Sequence, residues 1–529
     1  MINIIGAGLA GLSAALELAE RGIPCRLVSV QRSERAQSVL AEGGINAALD
    51  TMNEHDSPEE HFADTMRGGC FLADPNAVAG LTYGAPGVLR RLQALGVPFG
   101  LNEKGILLRN FGGQKKKRTA YAKSSTGKIL MSALIDEVRK YESRGLVNRA
   151  PHHELIRLII REGRCQGAYV RDCYTGLCAE FPGEVILACG GLNGLFPSRT
   201  TGTTQNTADA AAELFSRGVH FGNLEMIQYH PTTVGIPGKR LLITEAARGE
   251  GGRLWIKRKG SPWYFMEEKY PELGNLMPRD VVAREMFFVR RREDTEGEVM
   301  LDMTALPDEV WKTRLSDLRE NIASQLGIDL RREPAAVREG IHYFMGGIDT
   351  DEKHRTNIPG LFAAGECCCL YHGANRLGGN SMLGAIYGGH TAAVTAAESY
   401  VPAGSEEIRF SPPDEEIIEA RPEFNEALAE ILSEGLGIVR SEKELDGAIR
   451  KARALEAKCP REKNRLALGL AMLMSAKERR ESRGAHYRED FPDTDESLRR
   501  QTVTVSENGE PKIGFRPIPE RRGQDAVHS

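Results

Sequence analysis

Ile2-Asn-Ile-Ile5-Gly6-Ala-Gly8-Leu-Ala-Gly11 decides the fold of this 529-residue chain. Residues 2–5 read as a buried strand. Three glycines follow, then an apolar helical pattern from Leu12 to Glu20, then Gly22 and a second strand from Cys25 to Val30. Strand, glycines and helix in that order form the first βαβ unit of a dinucleotide-binding fold. Gly6 permits the turn, and Gly8 lets the backbone approach a pyrophosphate whose charge the helix N-terminus stabilises. The second strand ends Val28-Ser29-Val30, where this fingerprint expects an acid for the ribose hydroxyl.

Two later segments read as returns to the same domain. Glu184-Val-Ile-Leu-Ala-Cys-Gly190-Gly191 is a buried strand closed by paired glycines. Gly360-Leu-Phe-Ala-Ala-Gly365-Glu366 is another, and Glu366 could supply the ribose contact that Ser29 cannot. The stretch between them mixes strand and helix patterns. The expected architecture is therefore α/β: a Rossmann-like nucleotide-binding domain (1–222 and 346–410) with an inserted α+β capping domain (223–345). A Pro- and acid-rich linker, Ser411-Pro412-Pro413-Asp-Glu-Glu, opens a C-terminal helical domain (411–500), read as an antiparallel appendage. The tail (501–529) starts as a hairpin, Thr502-Val-Thr-Val-Ser and Glu-Asn-Gly, and ends polar and disordered.

Composition bounds the rest. With 41% hydrophobic and 27% charged residues the chain is an ordinary globular one, long enough for about two to four domains. A net charge of -4 and 6% aromatics give no footprint for nucleic acid. No apolar run approaches the roughly 18 residues that span a bilayer. No secretory signal is expected, because the chain opens directly into a strand, so the expected location is the cytoplasm. The 10 cysteines contain no CxxC pair, and Cys367-Cys368-Cys369 cannot cage a metal because neighbouring side chains diverge. No metal site is expected, and any iron–sulfur cluster would belong to another chain.

Short polar segments in glycine-rich settings carry the chemistry: His230-Pro-Thr, Thr244-Glu245-Ala-Ala-Arg248, Pro278-Arg279-Asp280, His342-Tyr-Phe-Met-Gly-Gly and His372-Gly-Ala-Asn-Arg376. A four-carbon dicarboxylate carries two charges about 5–6 Å apart and needs donors at both ends when buried. His230, Thr244, His342 and Arg376 supply two imidazoles, a hydroxyl and a planar fork. Reducing an activated double bond also needs a proton, and Arg279, Glu245 and Arg248 read as a relay. On residues alone, a structural Arg-Glu-Arg ion-pair cluster explains that trio better than a relay does.

These residues are where the chain resembles a known family, the flavoprotein subunits of succinate dehydrogenase and fumarate reductase, to which L-aspartate oxidase also belongs. The likeness runs from Ile2 to about Asp495. It rests on Ala41-Glu42-Gly43-Gly44-Ile45, Phe111-Gly-Gly, Gln228-Tyr-His230-Pro-Thr, Thr244-Glu245…Arg248-Gly-Glu-Gly-Gly, Pro278-Arg279-Asp280, His342…Met345-Gly-Gly, His372-Gly-Ala-Asn-Arg-Leu-Gly-Gly-Asn-Ser and Glu481-Ser-Arg-Gly-Ala-His486. The resemblance implies FAD along Gly6, Gly8, Gly11, Ser29, Ala41, Glu42, Gly43, Gly44, Asp209, Glu366, Asn380, Ser381, Met382 and Leu383. It implies a dicarboxylate held by His230, Thr244, His342 and Arg376 beside Phe111, with Arg279 passing the proton and Glu245 and Arg248 behind it. It also implies a partner subunit carrying iron–sulfur clusters and, through that partner, a membrane anchor at the cytoplasmic face of the inner membrane.

Departures from the family pattern set the direction. Membrane-bound members carry a histidine, covalently linked to FAD, where this chain has Gln37, so FAD is expected to be non-covalent here. Because the covalent bond favours succinate oxidation, its loss points to fumarate reduction or to an oxidase. Phe344 replaces the usual Thr after His-Tyr, and Asn206-Thr-Ala-Asp209 replaces a Thr-Gly-Asp-Gly. Lys115-Lys-Lys-Arg118 reads either as a solvated basic loop or as a device that steers a dianion or docks an acidic partner. Three functions remain open: a fumarate reductase flavoprotein subunit, favoured here; an L-aspartate oxidase; and a non-catalytic FAD electron-relay subunit.

Overall fold

The computed structural model describes residues 1–123, 125–402, 408, 410–414 and 417–523. The fingerprint folds as expected: β1 (Ile2–Ile5), α1 (Leu9–Glu20) and β2 (Cys25–Ser29). With β3 (Val147–Pro151), β4 (Val185–Leu187) and the strand Leu361–Ala363 they form a parallel sheet. Its order is Leu361–Ala363, β4, β1, β2, β3, so the two predicted returns lie side by side next to the opening strand. Register is fixed by Ile4 opposite both Leu27 and Ile186, and by Ile186 opposite Phe362. All four β1 residues are buried, as a sheet covered on both faces requires. Every residue of α1 from Leu9 to Ala19 is buried too, because the helix lies between that sheet and α3 (Asn380–Glu398).

The excursion builds a six-stranded antiparallel sheet. Its centre is the pair β5 (Ile227–Ile236) and β6 (Ala335–Phe344), flanked by Lys239–Leu242 on one side and Thr295–Asp302 on the other. Register shifts interrupt the β5–β6 ladder at Gln228/Tyr229 and His230/Thr233. Such irregularities re-aim side chains, and these flank His230. A separate apolar core, including Leu254, Ile256, Met266, Val282, Met286, Val299, Leu301 and Trp311, holds α2 (Arg279–Val289) against this sheet.

The C-terminal region differs from the expected appendage. Helices Pro422–Gly435, Glu442–Ala454 and Pro460–Glu478 are present, but Leu428, Leu432, Leu468 and Leu473 belong to the same core as Leu214 and Phe215 of the nucleotide-binding fold. Asp209 adds an ionic tie, its carboxylate 2.6 and 3.0 Å from Arg465. The expected hairpin is Arg500–Glu507 and Glu510–Pro517, turning through Asn508 and Gly509, both with positive φ. It is no free tail: its first strand pairs with Phe221–Gly222, which in turn pairs with Gly347–Asp349. The polar end expected after it, 524–529, and Glu415 and Glu416 of the linker lie outside the described residues.

Candidate active site

One continuous cavity of about 1280 Å³ runs from Gly6 and Gly8, past Ser29, Gln37, Ala41–Gly44 and Glu366, to His230, Thr244, Glu245, Arg279, His342 and Arg376. Asp209, Ser381, Met382 and Phe111 also line it. That volume far exceeds what a four-carbon acid fills, so the cavity suits a large cofactor and a small ligand together. At its nucleotide end α1 is preceded by Gly8 and has no acid in its first turn; Leu9 N–H donates to the Ser38 hydroxyl at 3.2 Å, and the positive end of the helix faces the cavity, where it suits an anion. Gly6 has φ +117°, and a Cβ there would lie 2.1 Å from the Ala188 carbonyl oxygen, so only glycine closes this turn.

Gly11, Asn380 and Leu383 do not line this cavity, and some side chains that do line it are engaged with protein partners. Gly11 does not face the cavity; it packs against Gly6, whose carbonyl oxygen a Cβ would meet at 1.8 Å. Leu383 is fully buried in the core. Asn380 turns inward, where its Oδ1 accepts from Asn46 Nδ2 at 2.8 Å and its Nδ2 donates to Thr65 at 3.0 Å. The Ser29 hydroxyl donates to the Gln31 carbonyl at 2.6 Å, and the Asp209 carboxylate is taken by Arg461 and Arg465. The Phe344 ring packs on Phe196, 5.8 Å between centroids, rather than lining the cavity. In the basic loop, Lys117 pairs with Glu54 and Lys116 donates to the His55 carbonyl, but Arg118 departs from the solvated-loop reading: it is fully buried and pairs with Asp56 at 2.8 Å and Asp64 at 3.0 Å.

The remaining site residues converge. His230 comes from β5 and His342 from β6, with rings 5.1 Å apart. His230 Nδ1 accepts from Thr232 N–H at 3.3 Å, and His342 Nδ1 lies 2.8 Å from the Thr201 hydroxyl, which leaves both Nε2 atoms for a ligand. Burial, then the positive charge of Arg279, holds both imidazoles well below their ordinary pKa, so they are neutral. Thr244 and Glu245 follow the strand Lys239–Leu242 and lead into a helical turn, Ala246–Gly249, that carries Arg248. Arg279 is the first residue of α2, set there by Pro278. Its Nε and Nη2 donate to Glu245 Oε2 at 2.9 and 2.6 Å, while Arg248 Nη2 reaches Oε1 at 3.3 Å. Burial alone would raise the Glu245 pKa, but Arg279 and Arg248 pull it below the ordinary value, so it stays ionised.

Arg376, in the loop before α3, stacks 4.5 Å above the Tyr343 ring. Burial, then Arg279, pushes its pKa down to about 9. Its Nε has no hydrogen-bond partner among the described residues. A buried N–H of this kind is costly unless a ligand pairs with it. Arg248, Arg279 and Arg376 outnumber the Glu245 carboxylate and the Glu366 carboxyl, whose pKa burial raises to about 7, so the buried ring with its two neutral histidines carries an excess of positive charge.

Comparisons with known proteins identify the family. An FAD binding domain model matches residues 2–382, and a fumarate reductase flavoprotein C-terminal model matches residues 458–522. The chain belongs to the succinate dehydrogenase/fumarate reductase flavoprotein family. It is 35% identical to the Bacillus subtilis succinate dehydrogenase flavoprotein subunit, over 93% of this chain and 91% of that one. The 8-methylmenaquinol:fumarate reductase flavoprotein of Wolinella succinogenes is 34% identical, over 98% of this chain and 90% of that one. An L-aspartate oxidase of Streptomyces coelicolor is 33% identical over 96% of this chain and 91% of that one. Among solved structures, an E. coli quinol fumarate reductase chain superposes with a TM-score of 0.87 at 28% identity, covering 99% of this chain and 97% of that one. The protein is thus an FAD-dependent oxidoreductase of this family. Among the described residues, no helix is long and apolar enough to cross a membrane.

Sequence reading missed Gln228, which is fully buried and touches both Arg279 and Arg376. Its signal was available: it stands two residues before His230 on one strand, and so on the same face.

Proposed function

We propose that this protein is a fumarate reductase flavoprotein subunit, binding fumarate at His230, Thr244, His342 and Arg376 and protonating it from Arg279. The observation that carries this reading is the excess of positive charge in the buried ring, which suits a dianion. Bound FAD supplies the hydride chemistry. The imidazole Nε2 atoms, the Thr244 hydroxyl and the Arg376 fork orient the two carboxylates. A terminal nitrogen of Arg279 gives its proton to one olefinic carbon as the other receives the hydride, so fumarate becomes succinate. Glu245 Oε2, already bonded to Nη2 and Nε, passes the replacement proton to the guanidine. Because Glu245 stays ionised between two arginines, it acts as a conduit rather than a store of protons.

Gln37 supports the reductive direction. Its amide lines the cavity and accepts from Thr203 N–H at 2.6 Å, and it has no nucleophile for a flavin link. FAD is therefore held non-covalently, and an iron–sulfur subunit delivers its electrons. The aspartate reading fits the ring less well: a substrate ammonium needs an acceptor, and the Glu245 carboxylate is already taken by two guanidiniums.

The test pairs two assays on purified, FAD-loaded protein: anaerobic fumarate reduction by reduced viologen, and aerobic peroxide production from L-aspartate. Fumarate turnover without peroxide is expected. Peroxide from aspartate without fumarate turnover refutes the proposal, and neither activity in FAD-replete protein returns the electron-relay reading.

A further inference from the structure

The two guanidiniums that the proposed reaction needs repel one another, and a neutral amide stands between them. Gln228 Oε1 accepts from Arg279 Nη1 at 3.2 Å and from Arg376 Nη2 at 3.0 Å. On the other side Nε2 donates to Asn375 Oδ1 and to the Arg376 carbonyl, both at 2.8 Å. The amide orientation is thus determined by its partners: turned over, it would aim its N–H groups at two guanidiniums and its oxygen at two acceptors. The ring closes through Asn375 Nδ2, which donates at 2.9 Å to Asp280 Oδ1, the neighbour of Arg279 on α2. Three segments distant in sequence, β5, α2 and the loop before α3, are tied at this one side chain.

We propose that Gln228 is a positioning residue that sets the spacing and aim of Arg279, the proton donor, against Arg376, the carboxylate clamp. This rests on the fumarate reductase reading and deepens it. A hydrocarbon side chain in its place would leave one N–H on each arginine unpaired and let charge repulsion part them. A carboxylate would still accept from both arginines, but its second oxygen would face the two acceptors that Nε2 now serves, and its charge would cut the positive excess that suits a dianion. Glutamine meets both demands, since its oxygen accepts from two cations without neutralising either.

The test compares Gln228→Leu with Gln228→Glu. Fumarate kcat and KM are measured from pH 6 to 9, and the dissociation constants of fumarate and succinate are measured from the change they cause in the bound flavin absorbance. Gln228→Leu is expected to lower kcat about 100-fold, the cost of misplacing a reacting group by about an ångström, with a displaced pH profile and unchanged FAD content. Gln228→Glu is expected to keep kcat within about tenfold but to weaken both dicarboxylates about tenfold or more. The opposite weighting of the two variants is what a purely structural role would not produce. Wild-type kcat and KM across the pH range in Gln228→Leu, or the same loss pattern in both variants, overturns the proposal. If Gln228→Leu does not take up FAD, unchanged dicarboxylate affinity in Gln228→Glu overturns it. A wild-type protein that binds dicarboxylates but reduces no fumarate refutes the functional reading instead, and the binding measurements still decide the role of Gln228 on Arg376.

Discussion

Replacing Gly112 by alanine places a methyl group where the proton relay has no room for one. A Cβ at this position would stand 2.6 Å from Glu245 Oε1 and 3.1 Å from the Leu276 carbonyl oxygen. Ordinary contact begins near 3.4 Å, so the carboxylate must retreat by about 0.8 Å, since the Leu276 carbonyl belongs to backbone. Oε1 accepts from Arg248 Nη2 at 3.3 Å, so the shift disturbs that bond first and, because the two oxygens move as one rigid group, also displaces Oε2 from its 2.6 Å bond with Arg279 Nη2. A charge-assisted bond of this kind contributes about 1.5–3 kcal/mol, so its loss from the step that reprotonates Arg279 amounts to about a 10–100-fold fall in kcat. Substrate affinity should change little, because His230, Thr244, His342 and Arg376 do not touch Gly112. The assay is fumarate reduction by reduced viologen, with FAD content measured on the same sample. A Gly112→Ala variant with full FAD and a kcat within threefold of wild type refutes the claim that the Glu245 position limits turnover.

Arg279→Ala should lose about 10²–10⁴-fold in kcat, the range for removing a general acid, while the dicarboxylate still perturbs the flavin spectrum. Arg376→Lys keeps a charge but loses the fork, and should raise the fumarate dissociation constant about tenfold or more in the same titration. Precipitation in acid should leave the flavin in the supernatant, whereas fluorescence that stays with the polypeptide contradicts the reading of Gln37. Stability should fall as pH drops below about 6.5. Burial pushes His61 and His372 down to about 3 and His354 to about 4, and pushes His230, His342 and His486 well below the ordinary value. Each binds a proton when unfolded but not when folded, so its contribution is present above the unfolded value and is lost below it, at about 1.4 kcal/mol per pH unit. Glu42 and Glu366, raised chiefly by burial to about 8 and about 7, and Asp56, Asp74 and Asp280, raised by burial, run the other way, but these five are outnumbered by the six histidines. A melting midpoint that does not fall between pH 6.5 and 5 refutes this balance.

What was legible in the sequence was what short stretches of chain determine. Gly6 to Gly11 announced strand, turn and helix because the turn geometry admits only glycine at Gly6. Asn508-Gly509 announced its hairpin for the same local reason. The clamp and relay were legible as chemical types, since donors in glycine-rich settings suit an anion, and the structure brings all seven of those residues together. What stayed hidden depends on partners distant in the chain. Nothing near Gln228 says that its oxygen will meet two arginines about 50 and 150 residues away. Nothing near Asp209 says that its carboxylate will dock a helix 256 residues on. The helices after residue 421 looked detachable because their periodicity shows an apolar face but not its destination; Leu428 and Leu468 bury that face in the main core.

The hairpin of residues 500–517 bears on the order of events during synthesis. Its first strand joins Phe221–Gly222, beside Gly347–Asp349, the two places where the chain passes into and out of the six-stranded sheet. Gly347–Asp349 is already flanked by Cys368–Cys369 and Phe221–Gly222, but the other edge of Phe221–Gly222 waits unpaired until the strand Arg500–Glu507 has left the ribosome. The cleft between the two sheets is therefore braced only near the end of synthesis. Ribosome-bound chains halted before residue 500 should remain open to protease at Phe221–Gly222, and should gain protection there once the hairpin emerges.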